Sequence, residues 1–198
     1  MTEKVVEFFW DVVSPYTYLA ATQMAKLKAQ TGAEVRWRPF LLGGVFKATR
    51  NQPPANLPAK AKYMPRDLQT WAAYYDVPFA FPSSFPANTL LAMRGATLIE
   101  DADKLEAYAL GLFAAHWERG EDISQPGLVA EIASAAGLDG EALVARAGEQ
   151  EAKDRLRRNT EEAVERGAFG APTFFVGEQL FWGNDRLPLI YHVLGANR

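Results

Sequence analysis

Strand-like segments lie near both ends of this sequence, and a helical pattern of about 100 residues separates them. Residues 4–10 are rich in β-branched and aromatic types, and residues 35–40 alternate apolar with charged side chains, so both predict strands. Near the other end, residues 173–176 and 179–182 flank Gly177-Glu178, a dipeptide typical of a tight hairpin. If the two ends pair, they form a four-stranded mixed sheet with helices on its faces, which is an α/β fold.

Capping residues mark where the helices beside this sheet begin and end. Ser14 is predicted to cap a helix whose first residue is Pro15, because a proline there has no hydrogen bond to lose. Gly32 is predicted to end that helix. Strand, helix and strand follow closely, so a right-handed βαβ unit is expected. Asp185 is predicted to cap the last helix, with Pro188 in its first turn.

The middle of the chain changes character at about residue 66. Residues 41–66 contain several glycines and prolines and predict a long loop, and long loops in compact domains are usually functional. From there to residue 166 the pattern is almost wholly helical, and residues 150–166 predict a charged helix with a solvated face. One apolar stripe in this stretch consists of Leu105, Tyr108, Ala109, Leu112 and Phe113.

The composition excludes several classes of function. The 198 residues carry a net charge of −3, whereas a nucleic-acid binder needs a basic face. No apolar run approaches the roughly 20 residues that span a bilayer, and no secretory signal pattern precedes the first strand, so a cytoplasmic enzyme is expected. Because cysteine is absent, the chain has no disulfides, thiolate metal sites or dithiol chemistry of its own. His116 and His192 show no metal-ligand spacing or nucleophile-elbow sequence and are interpreted as surface or partly buried helical residues.

The segment Ser14-Pro15-Tyr16-Thr17 opens the first helix and is the most informative site in the sequence. Unpaired N–H groups and the positive end of the helix dipole favour an anion there. A hydroxyl at this position can donate a hydrogen bond to a bound thiolate, and stabilising the anion lowers the pKa of a thiol. The segment therefore suits the activation of an external thiol. The alternative is that Ser14 only caps the helix.

A second site precedes the hairpin, at Gly170-Ala171-Pro172-Thr173. An X-Pro bond before a strand is a candidate for the cis form, which turns the preceding N–H and C=O groups outward. An extended ligand can then pair with that edge as an added strand. The alternative is an ordinary trans proline at the start of a strand.

Together the two sites resemble the layout of thioredoxin-like proteins. Ser14 and Thr17 stand where a C-P-Y-C motif has its two cysteines, and Ala171-Pro172 resembles the cis-proline loop of that fold. The likeness is greatest to the 2-hydroxychromene-2-carboxylate isomerases, relatives of the kappa-class glutathione transferases, and it spans nearly the whole chain. The segments that carry it are residues 8–20, 39–54 and 167–187.

The resemblance implies an architecture and a set of partners. The fold is expected to be thioredoxin-like, with the order βαβ…ββα and a large inserted all-helical domain. The thioredoxin-like domain would comprise residues 1–45 and 167–198, and residues 46–166 would form a loop and the insert. Related enzymes are dimers that use glutathione, so a homodimer that binds glutathione and a small aromatic substrate is expected, without nucleic-acid or membrane partners.

The resemblance also implies which residues bind glutathione. Ser14 would hold the thiolate, and the backbone of Ala171 would hydrogen-bond to the cysteinyl part of the tripeptide. Asn184 and Asp185 would bind the γ-glutamyl end, and Asn51 would reach the ligand from the long loop. The complete expected set is Ser14, Asn51, Ala171, Pro172, Asn184 and Asp185.

Several weaker signals surround this set. The residues expected near the substrate are Tyr16, Lys47, Asn56 and Lys60, with Lys62 as a further candidate. One of these lysines would meet a carboxylate of the substrate or of glycine, and the alternative for each is a solvated surface charge. Asp11, close to Ser14, is either a turn residue or a support for the site. Four aromatic residues form a substrate pocket or pack in the core: Trp10, Phe169, Phe181 and Trp182.

The reaction implied by the resemblance is a glutathione-dependent cis-trans isomerisation in aromatic hydrocarbon catabolism. It converts 2-hydroxychromene-2-carboxylate, or a similar aromatic enone acid, to trans-o-hydroxybenzylidenepyruvate. The absence of cysteine agrees with a nucleophile supplied by glutathione. Three alternatives stay open: a kappa-class-like transferase that conjugates glutathione to electrophiles, a peroxidase or reductase that acts through glutathione, and a binding protein without turnover.

Overall fold

In residues 4–195, which the computed structural model describes, four strands form one mixed sheet as predicted. Strands β1 (Val5–Trp10) and β2 (Glu34–Pro39) are parallel. Strand β3 (Thr173–Val176) is antiparallel to β1, and β4 (Gln179–Trp182) is antiparallel to β3. The order across the sheet is β2-β1-β3-β4, so the two ends of the chain meet where β1 pairs with β3. This is the thioredoxin-like arrangement that the motifs predicted.

Aromatic side chains fill both faces of the sheet. On one face the ring of Phe8 lies between those of Trp37 and Phe174 on the neighbouring strands, with centroids 4.9 Å apart in each pair. Because alternate residues of a strand point to opposite faces, Phe9 and Phe175 pack together on the other face. The sheet is therefore covered on both sides, which explains why its inner strands carry large apolar residues on both faces.

The connection between β1 and β2 contains two short helices where the sequence predicted one. They are α1 (Pro15–Ala21) and α2 (Met24–Thr31), and α2 ends as predicted at Gly32, which has a φ of 67°. Between them the hydroxyl of Thr22 donates to the carbonyl of Leu19 at 2.7 Å. The helical path is thus interrupted at Thr22 although the apolar pattern continues into α2.

The prediction of a long loop over residues 41–66 is wrong. The segment contains α3 (Leu42–Thr49), a 3₁₀ turn (Pro54–Asn56) and the first half of α4 (Pro58–Tyr75). Pro58 is the first residue of α4, where a missing N–H group breaks no hydrogen bond. A Cβ atom at Gly44 would lie only 3.1 Å from the methyl carbon of Thr160, so this glycine permits close packing of α3. The glycines and prolines thus mark helix contacts and helix starts.

The predicted helical stretch continues through α5 (Leu90–Ala96), α6 (Ala102–Trp117), α7 (Pro126–Ala135), α8 (Gly140–Ala147) and α9 (Gln150–Glu165). The apolar stripe of α6 is buried as predicted, except that Leu105 is half-buried. Phe113 in this stripe packs against Trp10 of β1 with ring centroids 5.5 Å apart. The helices therefore share a core with the sheet. The division into domains stays a prediction, and its outer ends, residues 1–3 and 196–198, lie outside the described residues.

The charged helix α9 has a solvated face as predicted, and one of its carboxylates also binds the sheet side of the molecule. Glu162 of α9 binds Arg38 of β2, and it also accepts from Arg166 at 3.3 Å. Both arginines bind Glu7 of β1, Arg38 at 2.7 Å and Arg166 at 2.6 Å. This ring of four charges joins α9 to the sheet, whereas Arg158 on the same helix is exposed.

The last helix, α10 (Leu187–Val193), does not begin at Asp185 as predicted. A 3₁₀ turn (Asn184–Arg186) precedes it, and no side chain caps its start. Asp185 instead folds back over Gly183, where a Cβ atom would lie 2.4 Å from its Oδ1 atom. Within residues 4–195, no helix combines the length and apolar character of a membrane span.

Candidate functional site

Ser14 lies at the junction between β1 and α1, and its side chain is only 5% exposed. Its Oγ atom caps α1 by accepting from the Thr17 N–H at 3.2 Å, as predicted. The same hydroxyl donates to the carbonyl oxygen of Ala171 at 3.3 Å. The fold therefore brings together the two motifs that the sequence separates by 157 positions.

The Ala171-Pro172 peptide bond is cis, which answers a question that the sequence left open. Two hydrogen bonds support the cis-proline segment, residues 169–172. The Thr173 hydroxyl donates to the Gly170 carbonyl at 2.8 Å, and the Gly183 N–H donates to the Pro172 carbonyl at 3.0 Å. The second bond links the cis-proline segment to the 3₁₀ turn at Asn184.

Asn51 lies at the other end of the cis-proline segment. Its Nδ2 atom donates to the carbonyl of Phe169 at 2.8 Å, and its Oδ1 atom accepts from the Gln52 N–H at 2.9 Å. The chain reaches this position through Arg50, a residue in the left-handed region with a φ of 57°. The structure therefore places Asn51 beside the segment that contains Ala171, and its role in ligand binding stays a prediction.

Asn184 and Asp185 lie beside the site in different environments. The side chain of Asn184 is 3% exposed, and its Nδ2 atom has no hydrogen-bond partner within residues 4–195. Its main-chain oxygen accepts from the Tyr75 hydroxyl of α4 at 3.3 Å. Asp185 is exposed and lies 3.2 Å from the guanidinium of its neighbour Arg186. An unpartnered buried amide costs free energy unless a ligand satisfies it, so Asn184 marks this turn as a polar contact point.

Tyr16 extends from α1 toward α4. Its hydroxyl donates to Oδ2 of Asp67 at 2.8 Å, and the Tyr63 hydroxyl donates to Oδ1 of the same carboxylate at 2.8 Å. Burial, followed by the hydrogen bond to Asp67, raises the pKa of Tyr16, and the charge of nearby Asp185 adds to this shift. Sequence reasoning missed Asp67, although its spacing of four residues from Tyr63 is a helical signal that the loop prediction concealed.

The remaining residues expected near the substrate are on the outer surface of α3, α4 and the turn between them. Lys47 lies in the last turn of α3, Lys60 lies in the first turn of α4, and both are exposed, as is Lys62. Asn56 is exposed and donates to the Gln52 side chain at 3.4 Å. Within the described residues, none of them hydrogen-bonds to the Ser14 or Ala171 positions. Their role stays a prediction.

Asp11 is fully buried, and its carboxylate binds two backbone N–H groups near the site. Its Oδ1 atom accepts from the Val13 N–H at 3.2 Å, and its Oδ2 atom accepts from the Leu42 N–H at 2.9 Å. The second bond caps α3, which has no cap from its own preceding residue. Burial raises the pKa of Asp11 to about 6, although the bonds from Leu42, Val13 and Thr89 oppose that rise. Asp11 therefore joins the start of α3 to the chain that leads to Ser14.

The four aromatic residues divide into two kinds of environment. Trp10 is fully buried against Trp37 and Phe113, which confirms the core-packing interpretation for this residue. Phe169 and Trp182 instead form a surface pair with ring centroids 4.8 Å apart, and they are 37% and 43% exposed. Phe181 is half-buried. An exposed aromatic pair therefore flanks the cis-proline segment.

The two histidines lie in helices, as predicted, but the expectation that both are on the surface or partly buried is wrong for His116. His116 of α6 is fully buried, and its Nδ1 atom lies 3.0 Å from the Glu121 carbonyl. Burial lowers the pKa of His116, although the bond to Glu121 opposes this shift. His192 of α10 is exposed. Neither ring contacts Ser14 or Ala171 in the described part of the chain, so neither serves as a base for Ser14.

Comparison with known proteins gives a consistent result along nearly the whole chain. A family model for the DSBA-like thioredoxin domain matches residues 5–195. A 2-hydroxychromene-2-carboxylate isomerase from Sphingobium xenophagum is 33% identical over 189 residues, covering 94% of this chain and 96% of that protein. Glutathione S-transferase kappa 1 from Homo sapiens is 32% identical over 206 residues, covering 97% of this chain and 91% of that protein.

The solved structures agree with the sequence relatives. A structure of 2-hydroxychromene-2-carboxylate isomerase superposes with a TM-score of 0.88 at 32% sequence identity. The superposition covers 96% of this chain and 94% of that chain. The similarity therefore extends over the sheet and the helices alike.

Proposed function

We propose, from the premise that this chain belongs to the family of DSBA-like thioredoxin domains, that it is a glutathione-dependent isomerase of aromatic enone acids. Its expected substrate is 2-hydroxychromene-2-carboxylate or a close analogue, and its product is trans-o-hydroxybenzylidenepyruvate. The observation that carries the proposal is the contact between Ser14, at the start of α1, and Ala171, in a cis peptide bond. Relatives that share the fold along their whole length include both isomerases and glutathione transferases.

The residues around this contact fit glutathione. The chain has no cysteine, so the sulfur must come from a ligand. Ser14 offers a hydroxyl at a helix start, and Asn184 offers a buried amide whose Nδ2 atom has no partner within residues 4–195. When bound, glutathione would supply a thiolate that adds to the conjugated carbon, permits rotation about the resulting single bond and leaves again by elimination.

Ser14 is the residue that would act on the sulfur. Its hydroxyl now donates to Ala171, and rotation about the Cβ–Oγ bond would redirect that hydrogen to an anion in front of α1. The Thr17 N–H and the dipole of α1 add positive potential at the same place. Together they would lower the pKa of a thiol and keep it as the reactive anion at neutral pH.

The remaining polar groups would hold the tripeptide on either side of its sulfur. The backbone of Ala171, turned outward before cis Pro172, would pair with the cysteinyl part as an added strand does. The amide of Asn184 and the carboxylate of Asp185 would bind the γ-glutamyl end, Asp185 as the partner of its ammonium group. Orientation of the two reactants then supplies a large part of the rate enhancement.

The substrate side of the site has a less specific assignment. The exposed rings of Phe169 and Trp182 offer a flat aromatic surface beside the cis-proline segment. Tyr16 lies near Asp185, and its raised pKa keeps its hydroxyl protonated at neutral pH. Lys47, Asn56 and Lys60 stay proposed contacts for a substrate carboxylate. Charge stabilisation on the developing enolate would come from such donors.

The test is a glutathione requirement measured with purified protein. Interconversion of 2-hydroxychromene-2-carboxylate and trans-o-hydroxybenzylidenepyruvate should proceed only when glutathione is added. The glutathione concentration should stay constant throughout, since the thiol is regenerated. Rapid turnover without glutathione, or no detectable binding of glutathione by calorimetry, would contradict the proposal.

A second candidate is a glutathione transferase, favoured by the 32% identity to the human kappa-class enzyme. The same thiolate site would serve both reactions, because each begins with addition of sulfur to an electrophilic carbon. The two differ in the fate of glutathione, which a transferase consumes. Thiol titration during turnover with a panel of electrophiles and aromatic enone acids distinguishes them.

The cellular setting forms part of the same proposal. A role in aromatic hydrocarbon catabolism fits the named reaction, and the kappa-class glutathione transferases among the relatives support glutathione as the cofactor. A cytoplasmic location would place the enzyme in the same compartment as reduced glutathione. Cell fractionation tests that location, and light scattering of the purified protein tests the expected homodimer.

A further inference from the structure

Arg50 occupies a backbone conformation that its residue type seldom adopts. It ends α3 with φ 57° and ψ 22°, in the left-handed region that favours glycine. Asp76 is the other non-glycine residue with a positive φ in the described part of the chain. Aspartate and asparagine are enriched in this region, whereas arginine gains nothing from it locally. A residue held against its backbone preference calls for a functional reason.

The side chain of Arg50 is a free cation. It is exposed, and within residues 4–195 it makes no ion pair, hydrogen bond or ring contact. Other arginines of the chain, such as Arg38 and Arg166, bind two carboxylates each. Arg50 therefore has all of its hydrogen-bond donors available to a ligand.

The next residue, Asn51, limits the region that the Arg50 guanidinium can reach. Asn51 is bonded to the Phe169 carbonyl and to the Gln52 N–H, so the backbone at this turn is held against the cis-proline segment. Adjacent Cα atoms lie about 3.8 Å apart, so the Arg50 backbone is one residue from this anchor. The exposed side chain of Arg50 therefore starts one residue away from the contact with Phe169.

The cis-proline segment has two chemically different ends. At its Pro172 end, the bond from the Gly183 N–H leads to Asn184 and Asp185, which are proposed to bind the γ-glutamyl group. A tripeptide that pairs with Ala171 and has its γ-glutamyl group at that end extends its glycine toward the Phe169 end. Asn51 is hydrogen-bonded at that end, and the cation Arg50 precedes it in the chain.

We propose that Arg50 binds the glycine carboxylate of glutathione, an inference that rests on the function proposed above. A guanidinium can donate two parallel hydrogen bonds to one carboxylate, which suits a terminal carboxylate better than a lysine does. The charges of the site then complement the charges at the two ends of glutathione. Asp185 meets the ammonium group at one end, and Arg50 meets the glycine carboxylate at the other.

Calorimetry with glutathione and with its glycine ethyl ester tests this assignment. The variant Arg50→Gln removes the charge but keeps a side chain at the left-handed position, whereas Arg50→Gly removes the charge and the backbone strain together. Both should bind glutathione about three- to tenfold more weakly than wild type, and Arg50→Lys should recover part of the loss. All four proteins should bind the ester with similar affinity. Arg158→Gln, which removes an exposed arginine of α9, is the matched control and should leave both affinities unchanged.

Each contrary result has a separate meaning. Equal losses for glutathione and its ester would show that Arg50 acts on the backbone and would overturn the assignment. An unchanged glutathione affinity with a raised KM for the aromatic acid would also overturn it, because the cation would then serve the substrate. A wild-type protein that binds neither compound would overturn the proposed function itself.

Discussion

The centre of the proposed site and its rim differ in how the chain holds them. At the centre, Ser14 and Ala171 contact each other directly. At the rim, Asn51, Tyr75 and Asp185 project from a turn, a helix and a 3₁₀ turn that approach from different sides. The centre lies between the end of β1 and the start of β3, whereas the residues of the rim come from helices and turns outside the sheet.

This difference separates the chemistry from the binding. Groups at the centre would act on the sulfur and on the reacting carbon, so their loss should lower kcat. Groups at the rim would contact parts of the ligand that do not react, so their loss should raise KM and leave kcat unchanged. The comparison fails if a rim variant affects the chemical step, or if a centre variant affects only binding.

The largest effect is expected for Ser14→Ala. Removing one hydrogen-bond donor to a reacting anion costs about 10²- to 10³-fold in kcat in other enzymes, and the same range is expected here. The pKa of bound glutathione should rise, because the anion loses that donor. Thiolate absorbance followed against pH measures this directly, and Ser14→Thr, which keeps the hydroxyl, is the control.

Two outcomes would show that Ser14 does not act on the thiolate. One is an unchanged thiolate titration in Ser14→Ala. The other is a loss of activity that follows from unfolding, since removal of a helix cap alone costs about 1 kcal/mol. Urea denaturation of both variants separates loss of the cap from loss of the donor.

The next effect is on the pH dependence of stability and concerns Asp11, whose carboxyl binds the backbone near the centre. Burial raises the pKa of this carboxyl from 3.8 to about 6, so the folded protein holds its proton more tightly than the unfolded chain does. The stabilisation is fully present below pH 3.8 and is lost as the pH rises through about 6. The contribution is on the order of 3 kcal/mol, at about 1.4 kcal/mol for each pH unit between the two values.

Asp11→Asn should remove this dependence because an amide does not titrate. The difference in the free energy of unfolding between wild type and the variant, measured in urea at several pH values, should therefore change between pH 4 and pH 7. The exposed Asp103→Asn, which makes the same chemical change on the surface of α6, is the control. A flat difference for Asp11→Asn would mean that the carboxyl is not buried as the structure has it.

The local structure at the centre of the site was easier to predict from the sequence than the contacts that support its rim. The Ser-Pro start of α1 and the hairpin β3–β4 are local patterns, and each determines its own structure over a few residues. Their meeting depends on β1 pairing with β3, which the strand positions at the two ends of the chain made the natural arrangement. At the centre, short sequence patterns and one compatible strand order were sufficient to predict the local structure.

Asn51 and Asp185 of the rim were named from the resemblance, but the contacts that hold the rim could not be predicted because packing brings their partners together. The glycines and prolines of residues 41–66 were counted as helix breakers, yet Gly44 allows α3 to approach Thr160, and Pro58 starts α4. Asp67 therefore seemed to lie at the edge of a loop. Asp11 was undecided for a similar reason, since its partner Leu42 is 31 positions away and no short pattern connects the two.

The smallest effect is expected at the rim, for Tyr75→Phe. The Tyr75 hydroxyl donates to the Asn184 carbonyl at 3.3 Å, and burial raises its pKa to about 12, so it stays a donor at every pH of interest. Without this bond the turn at Asn184 is less well positioned for the γ-glutamyl group. The KM for glutathione should rise about two- to fivefold, the value of one ordinary hydrogen bond, and kcat should not change.

Tyr74→Phe is the matched control for this variant, because Tyr74 is the next residue of α4 but is 77% exposed. It should leave both constants unchanged. A fall in kcat for Tyr75→Phe with an unchanged KM would place Tyr75 among the groups that act on the reaction. The separation between a centre that performs chemistry and a rim that only binds would then be wrong on the α4 side of the site. Equal effects of the two tyrosine variants would instead show that the bond to Asn184 has no specific role.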